Sequence, residues 1–441
     1  MKRRGLRMFF ACMMAFILLI ALVNPSFADE DWMAREIPAY SEDQATPMAY
    51  ATNQNGDLIV VYTVYDPEGT IMPYPMAARF DGETWTEMGQ GYLAEWSGGQ
   101  FRIRVNEFTG QTFVGFITIN GMIHIYEFID GEWIEMSSPG RLTRIDPQFV
   151  YYDFQVMEDG ALVVAFVDLL EESSITAKVY REGEWKTLGE PGFTMDPASS
   201  ISLAVDHSNQ VIYAAVAIER SQVEVWRYAE DSEWELTDST SIESVYPYWV
   251  RLAMGNGDRP FLFFMDAEQE WKISGYYYGK GIWYPMEPNP FSPPIIRSFD
   301  LVMDQEGWPL AFFNDSENES KLSVMRYDGQ TWSYYGRRGL TSRNITGVFA
   351  AIGMDGKPYA YTPDPEREGQ FVIMEYGELE EAVVSSVEEP VEATVEEEVQ
   401  ETAPVEEPEP EGSLVIPLVL GGTAVVILFF LLLRRKKNNE E

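Results

Sequence analysis

FDGETW (80–85), FIDGEW (128–133), YREGEW (180–185), YAEDSEW (228–234), YYGKGIW (277–283) and YDGQTW (327–332) are six copies of one phrase. Each runs from an aromatic residue through a short turn bearing Asp or Gly to a tryptophan. The tryptophans stand at Trp85, Trp133, Trp185, Trp234, Trp283 and Trp332, with spacings of 48, 52, 49, 49 and 49 residues. A steady period of that length marks a repeat architecture.

A second phrase lies about 28 residues before several of these tryptophans: FQVMEDGALVVAFV (154–167), LAVDHSNQVIYAAV (203–216), LAMGNGDRPFLFFM (252–265) and LVMDQEGWPLAFF (301–313). Apolar runs flank an Asn/Asp/Gly turn, and those residues accept positive φ at little steric cost, so the phrase reads as a hairpin. The unit is therefore strand, turn, strand, loop, strand, turn, strand. Four strands in some 49 residues leave no room for helices. Four-stranded antiparallel sheets repeated at this pitch predict an all-β fold, a β-propeller. The Trp residues take a structural role, opening each outermost strand and packing onto the neighbouring blade, with roughly 150–250 Å² buried per ring.

The blade count depends on how the ring closes. One period beyond Tyr327 falls on Tyr376 in MEYGELEE (374–381), but the corresponding Trp position is Glu381. EDWMAREIP (30–38) parallels GEWIEMSSP (131–139), so Trp32 is read as opening the missing outer strand of the last blade. Trp32, Trp85, Trp133, Trp185, Trp234, Trp283 and Trp332 then mark seven blades over residues 29–376. The alternatives are six or eight blades, or a seventh blade closed by residues 378–385. This grammar resembles bacterial propellers of the kelch and BNR (Asp-box) kind. The resemblance is architectural and carries over no functional residue.

The ends specify an address. Residues 1–28 combine Lys2, Arg3, Arg4 and Arg7 with an apolar run over 8–23, then Pro25 and small residues before Ala28. That is the pattern of a secretory signal peptide cleaved after Ala28. Residues 414–433 form an uncharged stretch of twenty, about 30 Å as a helix, followed by Arg434, Arg435, Lys436 and Lys437. Positive charge stays inside, so a single transmembrane helix with a cytoplasmic tail (434–441) and an external N-terminal domain is expected. Between fold and membrane, residues 377–413 hold fourteen Glu, four Pro, no Lys or Arg and no aromatic residue. Such a segment cannot bury enough surface to fold, and its charges extend it as a disordered stalk with a reach on the order of 100 Å.

Composition narrows the chemistry. Of 441 residues, 46% are hydrophobic and 14% aromatic, enough for a large core, and the net charge is −40. Polyphosphates are repelled, so nucleic acid is excluded as a partner. The one cysteine, Cys12, lies in the signal stretch and excludes a disulfide scaffold or Cys-ligated zinc. His124 and His207 fall at unmatched repeat positions and read as strand and turn residues. The Asp-rich turns (55–57, 159–160, Asp304, 355–356) lack the ligand alternation of a calcium loop and read as hairpins. No catalytic constellation, metal site or cofactor is expected.

Recognition is expected on the long connecting loops (89–100, 138–149, 239–249, 287–298) and on 266–272, which emerge on one face of a propeller. Trp96, Tyr246, Tyr248, Trp249 and Trp271 are the aromatics there with no role in the repeat. Arg144, also in such a loop, completes the candidate ligand-binding set. Arg102, Arg104, Arg251, Arg297 and Arg343 also lie near inner-strand entrances, where pairing with neighbouring carboxylates is expected. Asn314, Asn318 and Asn344 begin N-x-S/T sequons. The sequence reads as a membrane-anchored, cell-surface module that binds extracellular protein or glycan without catalysis. The alternatives are an extracellular hydrolase of glycosidase type and a structural subunit of an envelope assembly.

Overall fold

A computed structural model describes residues 30–378, apart from residues 37–44, 65–73, 95–97, 143–149, 195, 219–220, 231, 239, 241, 243–245, 256, 354–355 and 364–370. The expected signal peptide, transmembrane helix and tail lie outside the described residues, as does the expected stalk beyond Glu378; Gly377 and Glu378, read as the start of the stalk, instead end the last strand, where they pair with Asp31 and Glu30. Among the described residues no helix is long and apolar enough to cross a membrane.

The described chain forms seven antiparallel sheets of four strands. Six are consecutive in sequence and make blades 1 to 6, spanning residues 45–87, 99–135, 152–187, 198–236, 247–285 and 299–334. The seventh combines Phe349–Ile352, Pro358–Pro363 and Phe371–Glu378 with the N-terminal strand Glu30–Glu36 on its outside. The alternatives of six or eight blades give way to seven, and the ring closes as Trp32 suggested.

Each blade's second strand is buried along most of its length, and Leu58–Val64, Thr112–Ile117 and Leu162–Val167 are buried throughout. Neighbouring blades cover both faces of that strand, so its sequence is a continuous apolar run rather than an alternation. Burial falls off outward, and the fourth strand is exposed apart from its tryptophan in Trp332–Tyr334. Five of the turns before the tryptophans fall into two kinds. Asp130-Gly131, Glu182-Gly183 and Lys280-Gly281 all have φ between 51° and 88°, the positive pair that a two-residue hairpin of type I′ requires. In the DG-x-T-W copies the Asp side chain closes the loop: Asp81 accepts from the Glu83 and Thr84 N–H groups, and Asp328 from those of Gln330 and Thr331.

The tryptophans fasten blade to blade. The indole N–H of Trp133 donates to Met88 O at 2.7 Å, Trp185 to Ser137 O at 2.6 Å and Trp234 to Leu188 O at 2.9 Å. Trp283 donates to Thr237 Oγ1 at 3.1 Å and Trp32 to Tyr335 O at 2.6 Å. In every case the acceptor lies just past the outer strand of the preceding blade. Gly336 shows how tightly the ring is seated. A Cβ there would stand 2.5 Å from Trp32 Cδ1, and its φ of +83° already disfavours a side chain.

The closing strand pairs in antiparallel register from Glu30↔Glu378 to Glu36↔Val372, with Trp32 opposite Tyr376. Trp32 is fully buried, edge-on to Phe312 of blade 6 at 5.6 Å. Asp31 adds an ion pair with Arg337 at 2.5 Å. Partial burial alone would raise the Asp31 carboxyl, but hydrogen bonds from the Arg337 and Trp32 N–H groups and the Arg337 side chain hold it below its ordinary value.

Trp32→Ala removes a buried ring and its hydrogen bond from the closing seam. It should cost about 3–5 kcal/mol in urea unfolding of the propeller. Trp185→Ala, at a half-exposed ring, should cost less. The depressed Asp31 carboxyl makes its contribution fully above the unfolded-state value near pH 4 and loses it as pH falls through the lower folded value. Asp31→Asn should therefore flatten the loss of melting temperature on acidification below about pH 4.

Candidate functional site

Two places gather unusual side chains. The first lies at the loop end of blade 5. Asp266 closes the second strand, and its buried carboxylate accepts from Glu268 N at 2.9 Å and Tyr246 N at 3.2 Å. This seats the 3₁₀ turn Ala267–Gln269 beside the incoming chain. Trp271 is pinned on both sides, donating its N–H to Asp266 O and accepting from Ile296 N. Its ring meets Tyr248 at 4.8 Å, and Tyr248 meets Tyr246 at 5.1 Å. Trp271 is 38% exposed and Tyr248 only 8%, so Tyr248 supports while Trp271 presents.

Three of the six predicted residues thus come together. Trp249 does not join them. It sits in a register shift of the inner strand at φ 47° and packs against the core between blades 5 and 6. Trp96 and Arg144 lie outside the described residues. Other exposed apolar residues on loops of this same face are Tyr92, Ile119, Leu170 and Ile295, Leu170 being 84% exposed.

The second place is the axis of the ring. The inner strands enclose a cavity of about 210 Å³ whose wall includes Arg102, Arg104, Asp153, Gln155, Ser202, Arg251 and Asp300. Asp153, Ser202, Arg251 and Asp300 occupy one position in four successive blades, each 49 residues after the last. At three of these the side chain takes a backbone N–H from the next inner strand. Asp153 Oδ2 accepts from Leu203 N at 2.9 Å, Ser202 Oγ from Leu252 N at 3.0 Å and Asp300 Oδ2 from Ala350 N at 2.8 Å. Asp153 also pairs with Arg104 at 2.7 Å.

Arg251 breaks the series, because a guanidinium can only donate. Its one hydrogen bond goes to its own neighbour's carbonyl, Val250 O, at 3.3 Å, and no carboxylate lies within 4.0 Å of it among the described residues. Desolvation lowers its pKa to about 10, with Arg102 and Arg104 pressing the same way and Asp300 and Asp153 opposing, so it stays charged at neutral pH. Burial raises the Asp300 carboxyl, against hydrogen bonds from Ala350 and Leu301 and the charge of Arg251.

The sequence placed six arginines near inner-strand entrances, and the structure sorts them. Arg102, Arg104 and Arg251 reach the cavity, whereas Arg297 and Arg343 are exposed on connecting loops. Asp153, Ser202 and Asp300 were missed as a set, although they repeat at the pitch of the tryptophans. His124 bonds Glu135 at 2.7 Å and stacks on Phe116, and His207 meets Phe108 edge-on. Asn314 is buried and accepts from Arg297 N and Ser298 N, which gives it a structural task, while Asn344 is exposed. Asp304 caps its own hairpin turn, accepting from Glu306 N and Trp308 N.

No protein-family model matches the sequence, and no curated protein matches it. Solved structures do. The BP39L lectin of Burkholderia pseudomallei aligns with 78% of this chain and 99% of its own at 12% identity, with a TM-score of 0.52. An α-L-arabinanase of Penicillium chrysogenum covers 68% of this chain and 99% of its own at 13% identity, TM-score 0.43. A Dyadobacter fermentans protein of unknown function covers 78% and 98% at 10% identity, TM-score 0.45. At such identities the likeness is one of fold. The seven-bladed propeller stands; membership of the kelch or BNR family is not shown.

Asp153→Ala would strand the Arg104 charge and leave the Leu203 N–H unpaired between blades 3 and 4. It should cost roughly 3–5 kcal/mol in urea unfolding. Asp159→Ala, which removes an exposed ion pair to Arg181 and a turn hydrogen bond from Ala161 N, should cost less, about 1–2 kcal/mol.

Proposed function

We propose that this chain is a non-enzymatic, cell-surface binding module that recognises glycan or protein through the loop face of its propeller. The observation that carries the reading is the corner formed by Tyr246, Tyr248 and Trp271. There a partly exposed indole is backed by two tyrosines and fixed by backbone hydrogen bonds at both of its own peptide groups. A rigid aromatic surface stacks on the apolar face of a sugar or anchors a protein contact with little ordering cost. Exposed Tyr92, Ile119, Leu170 and Ile295 on the same face support an interaction surface. The shared fold with a lectin is consistent with a glycan ligand.

In this reading residues 379–413 hold the propeller away from the bilayer, residues 414–433 anchor it, and the ectodomain faces outward. A propeller suits that task, because the outer edges of blades 1 to 6 are strands of only two to four residues.

The test is a glycan array together with a pull-down using residues 29–381. Trp271→Ala should abolish the retained signal while leaving the melting temperature within about 2 °C of the parent, as expected for a surface substitution. Binding that survives Trp271→Ala combined with Tyr246→Ala would overturn the assignment of this face. Release of sugar from a bound glycan would favour a hydrolase instead.

A further inference from the structure

We propose that the axial cavity is a second binding site, independent of the loop face, which takes a small carboxylate carrying a hydrogen-bond donor beside its carboxyl group, with Arg251 as the anchor. The argument starts from the repeat. At this wall position Asp153, Ser202 and Asp300 are acceptors that stitch one inner strand to the next. Arg251 cannot serve that purpose, and the Leu301 N–H that it would have met is taken by the Asp300 carboxylate instead. The arginine is therefore not needed to hold blade 5 to blade 6.

What Arg251 does is place a charged fork in the cavity wall. Five N–H donors are available and one is used, for a long bond to Val250 O. Arg104 is already committed to Asp153 at 2.7 Å and to Ile103 O, and Arg102 donates to Phe101 O with its Nε 3.9 Å from the same carboxylate. Three guanidiniums thus face two carboxylates, leaving one positive charge over, on Arg251, which like Arg102 makes one hydrogen bond but unlike it has no carboxylate within 4.0 Å among the described residues. A planar carboxylate satisfies such a fork through two parallel hydrogen bonds.

The rest of the wall decides the kind of carboxylate. Asp300 and Ser202 offer oxygen acceptors close to the cavity, so a hydroxyl or amino group on the ligand would be matched there, whereas a second anionic group would be repelled. The volume of about 210 Å³ suits a small molecule. Hydroxy acids and amino acids share this chemistry.

The experiment uses the full-length chain in detergent. Thermal shift and titration calorimetry are run with sodium lactate, L-alanine and sodium acetate against sodium chloride at equal ionic strength. Lactate or alanine should raise the melting temperature in a saturable manner and bind at least about tenfold more tightly than acetate, a single hydrogen bond's worth; which of the two binds identifies a hydroxy acid or an amino acid. Arg251→Gln should abolish the shift. Arg251→Lys, which keeps the charge but loses the fork, should weaken binding at least about tenfold and provides a second readout if the glutamine variant fails to fold. Trp271→Ala should leave it unchanged, so this proposal and the loop-face reading fail separately. A wild-type chain that responds to none of the three compounds beyond chloride, equal affinity for acetate, or a response preserved in both Arg251 variants would overturn the proposal.

Discussion

An indole N–H reaching across a gap between two sheets is the interaction on which this molecule rests. Five tryptophans donate to an acceptor just past the outer strand of the blade before them. In blades 1 to 6 the outer strand is the least buried part and is held by two to four facing pairs. A ring that is apolar on its body and polar at one atom suits this seam, since it fills the wedge between sheets while bonding an acceptor beyond the preceding ladder, a carbonyl in four cases and the Thr237 hydroxyl in the fifth. Blade 6 closes its seam differently. There Trp332 stacks on Phe291 at 3.8 Å, with its indole nitrogen buried and unbonded.

The fold was legible because this constraint repeats at fixed pitch and uses Trp, which is scarcer here than Phe or Tyr. Turn residues set the strand ends, and the continuous apolar runs announced strands covered on both faces. Closure was legible for the same reason: Trp32 had no partner phrase upstream, and Tyr376 had no Trp downstream, so each end lacked what the other held.

The sites were less legible, for a physical reason. Tyr246, Tyr248 and Trp271 stood out only as aromatics outside the repeat, and adjacency in sequence did not separate Tyr248 from Trp249. A single register shift sends the first towards the loop face and the second into the core between blades. The axial residues carry a periodic signal, but a mixed one. Asp153, Ser202, Arg251 and Asp300 share a position and not a chemistry, so a search for like residues passes over them. Their common task shows only in the backbone N–H groups they accept, and the significance of Arg251 only in its exemption from that task.

The pairing of the chain's two ends also has a mechanical side. Phe371–Glu378 is clamped between Pro358–Pro363 and Glu30–Glu36, with seven facing pairs on the outer flank alone. A pull arriving from the C-terminal side along that strand loads both rows of backbone bonds together, in shear, rather than opening them one at a time like a zip. The ring thus meets traction with its strongest geometry, at the point where a tether would join it.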